Sequence, residues 1–249
     1  MTADIELSAE IRSAAAVRDL GTILGIWAHP DDEAYRSGGL MAIARNLGSR
    51  VVCVTATRGE LGTPDPEQWP PDKLAAERTV ELACSLGVLG VTEHHWLGYR
   101  DGECASVPLS EVVPLLCEII GRVAPDTVVT FGPDGVTGHA DHIAVSKWVD
   151  AAFDQAGAPG ARLLHTVVPE GWAQQWATVN DSLGVFETGY PVAVPDDQLD
   201  LVLELDPATV AQKVRALRAQ ATQTATLIDV MGQDSYTAWV STESFVQRR

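Results

Sequence analysis

The sequence predicts an α/β fold: a mostly parallel sheet with helices on both faces. Short apolar, β-branched runs recur between longer helical patterns, as expected of βαβ units whose strands are buried on both sides. The chain has 249 residues and 46% hydrophobic content, enough for one well-buried core, so residues 1–249 are expected to form a single domain. No internal repeat or low-complexity tract interrupts the pattern. The predicted architecture is Rossmann-like.

Taken in order, strands are expected at 23–28 (ILGIWA), 51–56 (VVCVTA), 92–97, 127–131 (TVVTF) and 163–168. Helical patterns cover 36–48, 73–87, 109–123, 140–156 and 207–223. Gly59 to Asp72 holds four prolines, which forbid regular structure and suit a rim or lid. The stretch 170–199, with Trp172, Trp176, Pro191 and Pro195, reads as an irregular extension.

Charge excludes several partners. Seventeen basic residues against 34 acidic ones leave a net charge of −17, so a nucleic-acid backbone or anionic membrane surface is repelled. Only Lys213, Arg215 and Arg218 cluster, as on one face of a helix. Cys53, Cys84, Cys104 and Cys117 are widely and irregularly spaced with no CxxC pair, as expected of reduced core thiols. Met1 to Asp19 shows no cationic start followed by an apolar run, and no segment approaches about 18 uninterrupted apolar residues. A cytoplasmic location is expected, and homo-oligomers are left open.

The chemistry concentrates at two strand ends. Ala28-His29-Pro30-Asp31-Asp32-Glu33 follows the run Ile23 to Trp27, and Gly138-His139-Ala140-Asp141-His142 lies a few residues after Thr127 to Phe131. In open α/β sheets ligands bind beyond the carboxyl ends of the strands. One imidazole and three carboxylates there are poor packing, since burying unpartnered charge costs several kcal/mol. A metal removes the objection, because imidazole nitrogen and carboxylate oxygen are usual ligands for zinc and its neighbours. His29 and Asp32 stand across a turn stiffened by Pro30 and can converge, with a third ligand from the second cluster. Three protein ligands leave one position for water, the open arrangement of catalytic zinc. His94, His95 and His165 read as ordinary surface or strand-end residues.

These residues resemble the PIG-L or LmbE-like N-acetylglucosaminyl deacetylases, marked by a His-Pro-Asp-Asp-Glu turn and, about 110 residues later, a His-x-Asp-His box. The similarity runs on through Arg58-Gly59-Glu60, Glu77-Arg78 with Glu81, Leu86-Gly87-Val88, Leu97 to Asp101, and Lys213 to Gln223. The resemblance implies metal ligands His29, Asp32 and His142, with Asp31 as general base. His139 would be general acid or oxyanion partner, oriented by Asp141; Arg78 and Asp101 would contact substrate hydroxyls or an adjoining group. It also implies zinc, although such a site also accepts iron, cobalt or nickel, and an N-acetylated amino sugar or its glycoside as substrate. Two departures stand out. Thr137 occupies the place of a tyrosine found in some relatives, and Gln220-Ala221-Thr222-Gln223 replaces a His-x-x-Gln.

Other readings are an amidase for a larger acyl group, such as a thiol-cofactor conjugate, and a vestigial sugar-binding protein. A phosphohydrolase lacks basic residues at the second box to hold phosphate. A dinucleotide-binding dehydrogenase lacks GxGxxG after the first strand.

Overall fold

The computed structural model describes residues 9–249. The N-terminal eight residues, on which part of the reading of Met1 to Asp19 rests, lie outside the described residues. A first helix, α1 (Ala9–Arg18), leads into β1 (Ile23–Trp27), whose five residues are all buried. α2 (Asp32–Asn46) and β2 (Val51–Thr55) follow, then α3 (Pro71–Leu89), β3 (Glu93–Trp96), α4 (Leu109–Val123) and β4 (Thr127–Phe131). α5 (Ala140–Ala156), β5 (Arg162–Thr166) and α6 (Glu170–Leu183) precede β6 (Leu201–Glu204). α7 (Pro207–Arg218), α8 (Ala221–Met231), α9 (Gln233–Trp239) and β7 (Thr242–Gln247) complete the chain.

The seven strands form one sheet in the order β3-β2-β1-β4-β5-β7-β6. β3, β2, β1, β4 and β5 are parallel; β7 runs antiparallel to both β5 and β6. β1, β2 and β4 are buried along their whole length, which explains their continuous apolar runs: both faces are covered by helices. Chain order reverses between the neighbours β1 and β4, and at such a switch point the two outgoing loops open a crevice. Those are the loops that carry the two polar clusters.

The parallel core follows the predicted pattern, and the differences have local causes. α2 starts at Asp32, four residues earlier than its apolar pattern, because the acidic turn itself enters the helix. The helix expected over 207–223 is two, α7 and α8, broken where Gln220 leaves helical geometry (φ −103°, ψ 51°) and turns its side chain into the core. Half of the supposedly irregular 170–199 is α6, which starts after Pro169 and stops at left-handed Gly184. α1, α9, β6 and β7 were not signalled by apolar periodicity. In β7 the buried Glu243 interrupts the apolar pattern; its oxygens accept from Gly39 and Leu40 N–H and pair with Lys213 at 2.7 Å. Lys213 is thus fully buried rather than part of a basic helix face. Likewise His165 is buried and paired with Asp150, and Cys84 is exposed while Cys53 and Cys104 are core thiols. No described helix is long and apolar enough to cross a membrane.

Candidate metal centre and active site

The turn after β1 is held in an unusual conformation. Asp31 has φ 95°, a region that costs a non-glycine residue about 1–3 kcal/mol and persists only where neighbours enforce it. Arg78 from α3 supplies the enforcement: its Nη2 donates to Pro30 O at 2.5 Å and lies 3.5 Å from Asp31 Oδ2, while Nη1 donates to Gly59 O at 2.8 Å. Gly59 (φ 63°) is required there, since any Cβ would fall on that guanidinium. The Asp31 N–H donates to Glu33 Oε2 at 3.0 Å.

This turn and the start of α5 bring three donors to one point. His29 Nδ1 lies 3.2 Å from His142 Nε2 and 3.6 Å from Asp32 Oδ2, and His142 Nε2 lies 3.3 Å from Asp32 Oδ1. The far side of each ring decides what the near side offers. His29 Nε2 faces Asp101 Oδ1 at 3.0 Å and Asp141 Oδ2 at 3.2 Å, so it carries the proton and Nδ1 presents a lone pair. His142 Nδ1 faces the Gly135 carbonyl at 3.1 Å, which fixes the same choice and leaves Nε2 as the lone pair. Stacking on Phe131 at 4.2 Å holds the His142 ring. Two imidazole lone pairs and a carboxylate converging on one point suit a divalent cation. The acids around His29 favour a second proton on its ring: burial opposes the charge, yet bonds to Asp101, Asp141 and Asp32 outweigh it and raise the pKa well above the usual value, and a cation at Nδ1 would take the place of that proton. Burial lowers His142 to about 4, keeping it neutral as a ligand. His139 stands beside them, 4.9 Å from His29 ring to ring, and a second set of nitrogens from His29, His139 and His142 lies within 4.8 Å.

Asp31 and Asp32 differ sharply despite being adjacent. Burial, opposed by Arg78 and reinforced by Asp32, raises Asp31 to about 7. Against the same burial, His142 and His29 hold Asp32 well below the usual carboxylate range.

Asp141 is placed differently from its expected role. Its carboxylate does not orient His139; it accepts from Gly102 and Cys104 N–H and faces His29 Nε2. Only its backbone N–H reaches His139, donating to Nδ1 at 3.2 Å as α5 begins. That bond leaves the neutral His139 ring with its proton on Nε2. Arg78 and Asp101 both line the cleft, but each also has a task inside the protein: Arg78 clamps the turn, while Asp101 faces His29 and accepts Leu61 N–H at 2.9 Å. Thr137 lies 3.1 Å from His142 Nδ1, so it serves the ring rather than the cleft's far side. Gln220 is no substrate contact: it is buried and donates to Glu33 and Ser85. Gln223 is the member of that quartet that lines the cleft.

The cleft has about 450 Å³ of free space, within the range of small-molecule sites. Its remaining walls come from Leu183 to Val185, Trp239, Tyr35 and Arg36. Sequence reasoning did not single out Tyr35 and Arg36. The signal was present, since they follow Asp32 at i+3 and i+4 and share its helix face.

Fold and donor set define the class: a hydrolase with a metal-capable centre at the switch point of a parallel sheet. The model of the PIG-L family, described as GlcNAc-PI de-N-acetylase, matches residues 24–153. The chain belongs to the PIG-L family of N-acetylglucosaminyl deacetylases. A relative from Kineococcus radiotolerans, named 1D-myo-inositol 2-acetamido-2-deoxy-alpha-D-glucopyranoside deacetylase, is 33% identical over 86% of this chain and 72% of its own length. Among solved structures, N,N'-diacetylchitobiose deacetylase from Pyrococcus horikoshii superposes with a TM-score of 0.63 at 22% identity, covering 99% of this chain and 94% of that one. A zinc-inhibited form of teicoplanin deacetylase gives 0.62 at 17% identity, covering 91% and 98%. These two likenesses show the fold.

Proposed function

We propose that this single-domain chain hydrolyses the N-acetyl group of an N-acetylglucosamine glycoside at a divalent metal centre formed by His29, Asp32 and His142. The observation that supports it most is the convergence of two tautomer-fixed imidazole lone pairs with the Asp32 carboxylate. Relatives named as deacetylases of an inositol N-acetylglucosaminide supply the substrate class. The chemistry that zinc, or a similar ion, supplies when bound is polarisation of the acyl carbonyl and a lowered pKa of the attacking water.

The chain's own residues do the rest. Asp31, raised to about 7, is ionised in a useful fraction near neutral pH and basic enough to take the water proton. The turn that Arg78 clamps keeps that carboxylate in the cleft beside Asp32. As water oxygen bonds to the carbonyl carbon, His139 Nε2–H donates a hydrogen bond to the developing oxyanion, and the proton that Asp31 took from the water passes to the nitrogen as the C–N bond breaks. Acetate and a free amine result. Asp141 holds His29 in the ligating tautomer. Arg78 and Asp101, on the cleft wall, meet substrate hydroxyls. The unpaired state of all four cysteines supports a reducing, cytoplasmic setting.

The test is acetate release from a panel of N-acetylglucosamine glycosides, before and after chelation and after zinc is restored. Release lost on chelation and recovered with zinc is expected. Full activity after exhaustive chelation, or no release from any glycoside, would overturn the reading.

A further inference from the structure

Beside the cleft lies a second, smaller cavity. Tyr35, Arg36 and Trp239 border both spaces, and Thr166, Trp172 and Glu243 help to close the smaller one. Its free space is about 50 Å³, several times the roughly 10–15 Å³ one water needs. That suits a carboxylate carrying one or two carbons.

The wall of this cavity holds hydrogen-bond donors that lack acceptors. Among the described residues no hydrogen bond or ion pair engages the Arg36 guanidinium, although it is partly buried, with Asp32, Asp134 and Asp31 acting on it only at longer range. Thr166 Oγ1 is buried with no partner. Tyr35 and Tyr236 hydroxyls lie 3.0 Å apart, so one proton serves the pair and the other has no acceptor among the described residues. The one carboxylate in the lining, Glu243, does not compete: its oxygens are taken by Gly39 N–H, Leu40 N–H and Lys213 Nζ. The backbone explains how Arg36 reaches this wall. α2 loses helical geometry at Ser37 (φ −148°, ψ 18°), and the break sets Tyr35 and Arg36 between the two spaces.

A partly buried cation free of protein partners and unpaired hydroxyls around a carboxylate-sized space are complementary to one ligand type. We propose that this cavity is a binding site for a small carboxylate, seated on Arg36 and capped by the Thr166 and tyrosine hydroxyls. Two sources carry that chemistry: the acetate that deacetylation of the substrate releases, and a carboxylate borne by the substrate itself. The choice of source rests on the proposed deacetylase activity; the site does not.

Sodium acetate is titrated into the metal-loaded protein, and again after chelation to exclude acetate held at the metal, with sodium chloride as ionic-strength control. Fluorescence of Trp172 and Trp239 and calorimetry both report binding. Saturable acetate binding that survives chelation is expected, weakened about tenfold or more in Arg36→Met, the usual loss for a charge-assisted bond, and more modestly in Thr166→Val. Should Arg36→Met fail to fold, Thr166→Val, which only replaces an unpartnered buried hydroxyl, decides the matter. No saturable binding to the chelated wild type, or equal binding in the variants, would overturn the site. Turnover then separates the sources. Acetate inhibition at the binding concentration, with neutral and carboxylated glycosides used equally, identifies the product; a preference for the carboxylated glycoside that Arg36→Met abolishes identifies the substrate. Absence of acetate release from every glycoside would sink the deacetylase reading while leaving the binding result intact.

Discussion

His29 Nε2 lies 3.2 Å from Asp141 Oδ2 while the opposite nitrogen of the same ring faces His142 and Asp32. Together with Asp101, 3.0 Å from the same nitrogen, Asp141 therefore sets the tautomer of the proposed ligand His29. Asp141→Asn should keep the fold and lower metal affinity by about 10- to 100-fold, as expected when an outer carboxylate on a ligating histidine is lost. Metal content after dialysis against graded chelator measures it; unchanged retention would return Asp141 to a purely structural role.

The paired aspartates should fail in different ways. Asp32→Ala should lose metal and activity together, since one of the three proposed protein ligands is gone. Asp31→Asn should stay loaded while kcat falls by roughly 10²–10⁴, the usual contribution of a positioned proton acceptor. Metal analysis beside acetate-release rates separates them, and a metal-free Asp31→Asn would show the assignment to be wrong.

Glu33 gives a stability prediction with a definite sign. Burial, then the neighbouring Asp31 charge, raises its pKa from 4.5 to about 8. Between those values the folded state keeps a proton that the unfolded state releases, so this contribution is full below the unfolded value and lost as pH rises through about 8. Asp31, raised to about 7, acts in the same direction. The Tm of metal-free protein should fall as pH rises from about 5 to 8. Glu33→Gln should make that fall shallower without removing it, because the parts from Asp31 and from His29, whose raised pKa acts in the same direction, remain. Parallel Tm curves for the two proteins would refute it.

The loop between Gly59 and Asp72 reaches the site through Leu61 N–H, which donates to Asp101, and through Gly62 in the cleft wall. Deleting Pro64 to Glu67 should raise KM for a bulky N-acetylglucosamine glycoside more than for N-acetylglucosamine itself. Equal changes in the two KM values would remove the loop from substrate binding.

What the sequence determined by itself is the parallel core and the chemistry at its switch point. Runs such as Ile23–Trp27 and Thr127–Phe131 are apolar along their length because both faces of the sheet are covered, and that signal is local. The polar clusters were legible for the opposite reason: charge directly after a buried strand has no packing role. Tertiary structure alone decided which side chain serves which. Asp141 turning to His29 rather than His139, Gln220 turning into the core, and Lys213 pairing with Glu243 join residues 112, 187 and 30 positions apart. The direction a polar side chain takes depends on which donors the fold brings within about 3 Å, and local periodicity carries no record of that. The same holds for Arg36: its place in the sequence marks it as a helix residue beside the acidic turn, and only the break at Ser37 and the packing of Trp172 and Trp239 set it between two cavities.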